Sequence, residues 1–209
     1  FGATSYTSFS GIIQSVQAGT VNMPLFVVGV GLVLAAFGFK VAAVPFQMWT
    51  PDVYQGAPSP VTAFMSVGVK AAAFAALMRV FLALFPSLAA NFAPILAVLS
   101  ALTMIVGNVV AILQTNIKRL LAFSSIANAG YLLMAFVSYG NSGISSQVVG
   151  SMLFFLVAYA LTSLGAWSVV TAIEVGSIFS ENSDHTATSA PAASKTTIRP
   201  SWPARISPD

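Results

Sequence analysis

Apolar residues fill this chain in five long runs, and the breaks between them are short and polar or rich in proline. The runs lie at about 22–49, 61–85, 92–113, 119–139 and 147–173. A helix needs about 20 residues to cross the hydrocarbon core of a bilayer, and each run reaches that length. The breaks carry turn chemistry. Pro45, Pro51, Gly56, Pro58 and Pro60 crowd the first, Pro86 and Pro94 flank the second, and residues 114–119 and 140–143 form the third and fourth. The pattern predicts an all-α protein, a polytopic transmembrane helix bundle of about five spans in which the first is broken at Pro45. Residues 1–21, rich in Ser, Thr and Gly, read as an interfacial connection, and 22–173 as the transmembrane bundle. Residues 174–209, rich in Ser, Thr, Ala and Pro with no apolar period, read as a disordered or aberrant tail.

Composition narrows this further. Apolar residues make up 57% of the chain and charged residues only 6%, whereas a soluble domain carries roughly 25% charged residues. The net charge is +3, but Lys195, Arg199 and Arg205 of the eight basic residues belong to the tail, so the basic balance does not point to nucleic acid. The absence of Cys excludes disulfides, thiolate metal sites and cysteine-ligated iron–sulfur clusters. The single His, His185, lies in the tail, which removes histidine-ligated haem from the spans. No Gly-rich phosphate loop is present, so no nucleotide site is indicated. The chain opens on Phe1 with no basic region and cleavage site ahead of the first span, and is expected to be a piece of a longer one.

Against this background the lysines stand out. Lys70 has nine apolar or small residues before it in its run and fifteen residues after it, all apolar or small but Arg79. By the helical rise it lies roughly 13–14 Å from the start of that helix, too deep to snorkel easily. An ammonium at bilayer depth costs about 2.5–3.5 kcal/mol on insertion scales, so it is kept only where it faces protein, water or a partner. A lysine in such a place exchanges a proton, or else it is a structural group hydrogen-bonded within a bundle. Lys40 lies five residues before Pro45. If its helix ends near Val44 it can snorkel; if the helix kinks at Pro45 and resumes, Lys40 sits nearer mid-depth, beside a Val41 carbonyl that proline leaves without a partner. Broken helices at binding depth are typical of transporters. Two lysines on adjacent spans, one beside a break, read as a proton or ion path. Charges about 8 Å apart at an effective dielectric of about 20 interact by roughly 2 kcal/mol, enough for each to bias the other.

Polar residues recur at helical spacing on the later spans. Thr103, Gly107 and Gln114 share a face with Asn108 beside them; Ser124, Asn128 and Tyr131 line up with Ser125 adjacent; Tyr159, Thr162 and Ser163 cluster. Asn108, Ser124, Asn128 and Tyr131 are candidates for a polar wire, and the plainer alternative is interhelical hydrogen bonding worth about 0.6 kcal/mol per contact. Lys118 and Arg119 are topology signals that put the third break on the cytoplasmic or equivalent side, with the first break on the same side. Lys118 is also a candidate terminus of the proton path. Asp52, the only acid before the tail, reads as a turn or cap residue.

The stretch from Phe39 through Lys40, Pro45, Trp49-Thr-Pro-Asp52 and Gln55-Gly-Ala-Pro-Ser-Pro to Val61 is highly specific, as is Gln114-Thr-Asn-Ile-Lys-Arg-Leu-Leu-Ala-Phe-Ser-Ser-Ile126 followed by Gly130-Tyr-Leu-Leu133. Over about residues 1–173 the chain resembles the antiporter-like membrane subunits of respiratory complex I, the proton-pumping NADH-quinone oxidoreductase, and within them most nearly the subunit N group, called subunit 2 in mitochondria, chloroplasts and cyanobacteria. The resemblance implies that this chain is part of a larger inverted-repeat antiporter-like fold. It matches Pro45 to the break of a broken helix, Lys40 and Lys70 to proton-transfer residues, and Lys118 to a basic motif that opens a helix. It departs from the family at Asn128, where relatives often carry His, and in the tail, which stands where the family continues into a further lysine-bearing helix.

The function implied is proton translocation coupled to NADH oxidation and quinone reduction in other subunits. NADH, flavin, iron–sulfur clusters and quinone would belong to those partners, with no cofactor, metal or redox centre in this chain. The implied partners are the other membrane subunits of complex I and the lipid bilayer, not nucleic acid. The implied location is a bacterial plasma membrane, with thylakoid or mitochondrial inner membrane as alternatives. Rival readings are a subunit of a cation/proton antiporter or membrane-bound hydrogenase, and a non-pumping structural subunit.

Overall fold

The computed structural model describes residues 1–84, 89–138 and 145–189, and all its regular structure among them is helical. The chain divides into two compact units, Phe1–Thr171 and Ala172–Asp209. Among the described residues, five stretches are long and apolar enough to cross a membrane: Met23–Val41, Ser59–Phe81, Ala93–Ile112, Ile117–Ser138 and Gln147–Ser180.

The expected surface connection contains a helix, α1 (Phe9–Gln17), started by the Ser8 hydroxyl accepting the Gly11 N–H. Its Ile12, Ile13 and Val16 pack onto the main core. Helix α2 (Met23–Val41) begins at Asn22, whose side chain accepts the Leu25 N–H. It ends before Pro45. Ala42 takes a left-handed conformation at φ 62°, its N–H bonds the Phe39 carbonyl and the Ala43 N–H bonds the Gly38 carbonyl. That is a Schellman ending, in which the chain turns and closes its own last carbonyls. Of the two alternatives at Pro45, a helix that ends and one that kinks and resumes, the chain takes the first, stopping at Ala42, and it resumes helix only at α3 (Trp49–Gly56).

The gap is braced from both sides. The Trp49 indole donates to the Phe39 carbonyl at 2.9 Å and stacks on the Phe39 ring, and the buried Thr103 hydroxyl accepts the Val44 N–H at 3.0 Å. Backbone polar groups in an apolar medium need such partners, because no water is there to supply them.

The second span is one helix with a fault in it. Helix α4 (Ser59–Phe64) passes into a π-turn (Met65–Val69), and α5 (Lys70–Leu84) continues from there. Helices α6 (Ala89–Ile112) and α7 (Ile117–Ser138) follow. Pro94, expected at a break, lies inside α6 near its start, where proline removes little of the helical ladder. Asn116 starts α7 by accepting the Lys118 and Arg119 N–H groups. Small residues let α6 and α7 come close: a Cβ on Gly107 would stand 2.7 Å from the Ala127 nitrogen, and one on Gly130 would stand 3.0 Å from the Met104 nitrogen. Helix α8 (Ser145–Ser189) runs past Ile173, so part of the expected polar tail is helical. Residues 85–88, 139–144 and 190–209, which include Pro86, the fourth break and most of the tail, lie outside the described residues.

The main core joins Phe26 and Val30 of α2, Phe74, Leu77 and Phe81 of α5, Leu132 and Phe136 of α7, and Met152 of α8. A second cluster, Tyr54, Ala122, Trp167 and Val170, sits under α3, with the Tyr54 and Trp167 rings edge to face.

Candidate functional site

Lys70 is 4% exposed and sits where the π-turn hands over to α5. A π-turn shifts the backbone pairing by one residue, and such faults occur often at functional positions. Here the fault directs Lys70 at α7. Its Nζ donates to both the carbonyl and the hydroxyl oxygen of Ser125. Ser125 is itself buried, and its Oγ also meets the Tyr159 hydroxyl at 2.9 Å. The Tyr159 hydroxyl reaches the Ser66 carbonyl at 3.2 Å, inside the π-turn. The Ser66 hydroxyl donates to the Ala63 carbonyl at 2.8 Å and lies 3.2 Å from the Ser163 hydroxyl. Four hydroxyl-bearing residues from three spans thus form a linked cluster that reaches the buried amine through Ser125.

A polar cleft opens beside this cluster. It has a volume of about 130 Å³ and is lined by Ser124, Ser125, Asn128, Tyr159, Thr162 and Ser163, among others. At about 30 Å³ per water in the liquid, it has room for a few waters. Lys70 is not on its wall, but Ser125 and Tyr159 are. Any proton passing between Lys70 and the cleft therefore meets a hydroxyl first.

Tyr54, in α3 between the first and second spans, faces the same serine. Burial pushes its phenol above the ordinary tyrosine range, Tyr159 adds to this and a hydrogen bond with Ser125 opposes it. It stays a neutral hydroxyl.

The predicted residues separate into groups. Lys70, Ser124 and Asn128 come together at the cluster and its cleft, with the Asn128 amide donating to the Ser124 carbonyl at 2.9 Å. Asn108 is exposed and bonds the Met104 carbonyl of its own helix. Tyr131 is 48% exposed and packs on Phe155, with ring centres 6.3 Å apart. Both stand apart from the cleft wall. Lys40 is exposed in the last turn of α2, where a cation suits the helix dipole. Lys118 is half-buried and its Nζ reaches the Ala57 carbonyl at 3.5 Å.

Asp52 is more than a turn residue. Its carboxylate pairs with Arg119 at 2.6 Å, and Arg119 also holds Gln55 at 3.0 Å and Gln114 at 3.2 Å. This joins the first and third breaks, as alternate crossings of a membrane require. Two buried oxygens near the interrupted helix, Gln47 Oε1 and Thr50 Oγ1, have no partner among the described residues; groups of this kind commonly bind interior water.

Helical spacing aligns Ser124 with Asn128 and Tyr131 and sets Ser125 beside them, since adjacent residues point about 100° apart; it gives no sign of Ser66. The spacing of Tyr159 and Ser163 was the one usable signal.

The family model described as NADH:quinone oxidoreductase/Mrp antiporter, transmembrane, matches residues 1–188. NADH-quinone oxidoreductase subunit N of Chloroflexus aggregans is 47% identical over 177 residues, covering 83% of this chain and 35% of the relative. Subunit N 1 of Herpetosiphon aurantiacus is 50% identical over 151 residues, covering 72% of this chain and 30% of the relative. Among solved structures, a chain of respiratory complex I from Thermus thermophilus with bound aureothin is similar at a TM-score of 0.59 and 44% identity, covering 72% of this chain and 31% of that one. The chain spans about a third of the length of the curated relatives it matches.

Proposed function

The chain belongs to the NADH:quinone oxidoreductase/Mrp antiporter transmembrane family, and on that premise we propose that it carries the central part of a proton path in a subunit N-type component of a proton-pumping NADH-quinone oxidoreductase. It is an integral membrane protein. Oxidation of NADH and reduction of quinone, with flavin and iron–sulfur clusters, belong to partner subunits; this one converts their free energy into proton movement. A bacterial plasma membrane suits the bacterial relatives.

The observation that carries the reading is Lys70, buried within a span and, among the described residues, held by the neutral oxygens of Ser125. A charged lysine at such a depth needs oxygen partners, and Ser125 offers it both a carbonyl and a hydroxyl. A proton carrier needs partners that serve both its charged and its neutral form, and hydroxyls do, because they donate as well as accept. Lys40 and Lys118 are the neighbouring members of the path in this reading, one at the interrupted helix and one where α7 begins. The cleft beside Ser125 supplies the way to water.

The test is Lys70→Ala in the full-length subunit within its native complex. NADH oxidation and proton uptake are followed in the same sealed vesicles, with complex abundance measured. Proton uptake that collapses in an assembled complex supports the reading. Both activities at the wild-type level would make Lys70 structural and overturn it.

A further inference from the structure

The hydroxyl cluster at Lys70 has fewer protons than places to put them. Tyr159 carries one hydroxyl proton and faces two acceptors, the Ser66 carbonyl at 3.2 Å and Ser125 Oγ at 2.9 Å. A carbonyl only accepts, so a proton given to Ser125 is withdrawn from Ser66. Ser125 Oγ also meets Lys70 Nζ. A charged lysine only donates, whereas the neutral amine has a lone pair that accepts. The direction of the hydrogen bonds from Lys70 to Ser66 thus depends on whether Lys70 holds its proton, with the Tyr54 hydroxyl a further partner of Ser125 that can give or take a hydrogen bond in either state.

We propose that Tyr159 is a positioning residue that registers the charge of Lys70 and transmits it to the π-turn from which Lys70 projects. The proposal rests on the reading of Lys70 as a proton carrier. With Lys70 charged, its ammonium donates to Ser125 Oγ, the Ser125 proton points at the Tyr159 oxygen, and the Tyr159 proton goes to the Ser66 carbonyl. For the proton to leave, an N–H bond of Lys70 breaks and an O–H bond forms at Ser125. The O–H proton that Ser125 held before turns from Tyr159 to a cleft water and passes to that water, which becomes hydronium. Lys70 is left as a neutral amine, and Ser125 ends as it began.

The chain then reverses. The amine accepts from Ser125, Ser125 accepts from Tyr159, and the Ser66 carbonyl loses the Tyr159 proton. Ser66 lies in the five-residue π-turn that ends at Lys70. Loss or gain of that one bond therefore acts on the backbone that aims the lysine. Tyr159 has the right placement for this: it is buried, it stands on a different span from both Lys70 and Ser125, and its hydroxyl also lines the cleft.

The experiment compares Tyr159→Phe with Lys70→Ala in the full-length subunit, assembled in its complex in sealed vesicles. Phenylalanine keeps the ring and its packing and removes only the shared hydroxyl. The expected result is wild-type abundance, proton-coupled turnover lowered by about fivefold, the factor one hydrogen bond is worth, and a larger solvent deuterium isotope effect, which a packing role does not move. If Lys70→Ala stops proton uptake while Tyr159→Phe keeps both the wild-type rate and isotope effect, Tyr159 is packing alone; this proposal fails and the proton-path reading stands. If Lys70→Ala leaves proton uptake intact, the reading fails first and takes the proposal with it. Should Tyr159→Phe not assemble, a fluorotyrosine in place of Tyr159 keeps the ring and the hydroxyl and makes that hydroxyl a stronger donor. A changed turnover and isotope effect with wild-type abundance support the proposal, and an unchanged turnover and isotope effect overturn it.

Discussion

Lys40 and Lys70 both stand at faults in membrane helices, yet their surroundings differ in kind. Lys40 sits just before the Schellman ending of α2, a complete stop that the chain closes with its own backbone and with Trp49 and Thr103. Lys70 sits just after a π-turn, a fault that leaves the helix running. The first lysine is exposed and the second is buried among hydroxyls. The neighbours explain this. Helix α2 turns most of its surface outward, whereas α5 packs where α7 and α8 bring Ser125 and Tyr159 to one point. A helix fault near a lysine does not by itself fix what surrounds the amine. At Lys70 a second and a third helix deliver hydroxyls that can serve both of its states.

The sharpest way to break this comparison is to remove Lys70. Lys70→Ala is expected to lower proton uptake by about a hundredfold or more in assembled complex, the scale on which a positioned proton carrier contributes. Next is Thr103→Val, which strips the Val44 N–H of its acceptor. A buried N–H left unmet costs about 1–3 kcal/mol, so complex abundance after mild detergent extraction should fall, with pumping per assembled complex close to normal. Lys40→Ala is expected to lower pumping less than Lys70→Ala, because an exposed amine is more readily replaced by water in passing a proton. A loss as complete as at Lys70 would mean that Lys40 gains a buried partner in the assembled complex. The smallest effect is expected from Asp52→Asn. The Asp52 side chain is 73% exposed and the Arg119 side chain 32%, and a pair so placed contributes at most about 1 kcal/mol, less in high salt. Thermal stability of the purified complex, measured at two salt concentrations, checks that figure.

Much of this molecule was legible from its residues. Membrane helices announce themselves by length and apolarity, which are local properties, so the five spans fall close to where the apolar runs lie. Lys70 was legible for the same reason: depth along a helix is counted in residues, and the cost of an ammonium at that depth needs no knowledge of neighbours. The crowding of prolines marked an interruption near Pro45. It did not reveal that Ala42, an ordinary residue in a left-handed conformation, would end the helix first. Such a conformation costs a residue with a Cβ about 1–2 kcal/mol, and it is held here by bonds to Gly38, Phe39 and Thr103.

The sequence by itself determined the class of the protein, the number of its spans, the family it resembles and the one residue whose burial demands an explanation. Only the tertiary structure decided what answers that residue. Helical spacing says which side chains share a face, but not which other face they meet. Ser124 and Ser125 are neighbours in sequence and point about 100° apart on the helix; the rotation of α7 against α5 makes Ser125 the partner of Lys70 and leaves Ser124 on the cleft wall. The same holds for Ser66 and Tyr159, far apart in sequence and joined by one hydrogen bond across two helices. Hydropathy is a sum over a segment and survives without context. A hydrogen bond is a distance between two atoms, and that distance exists only once the helices have packed.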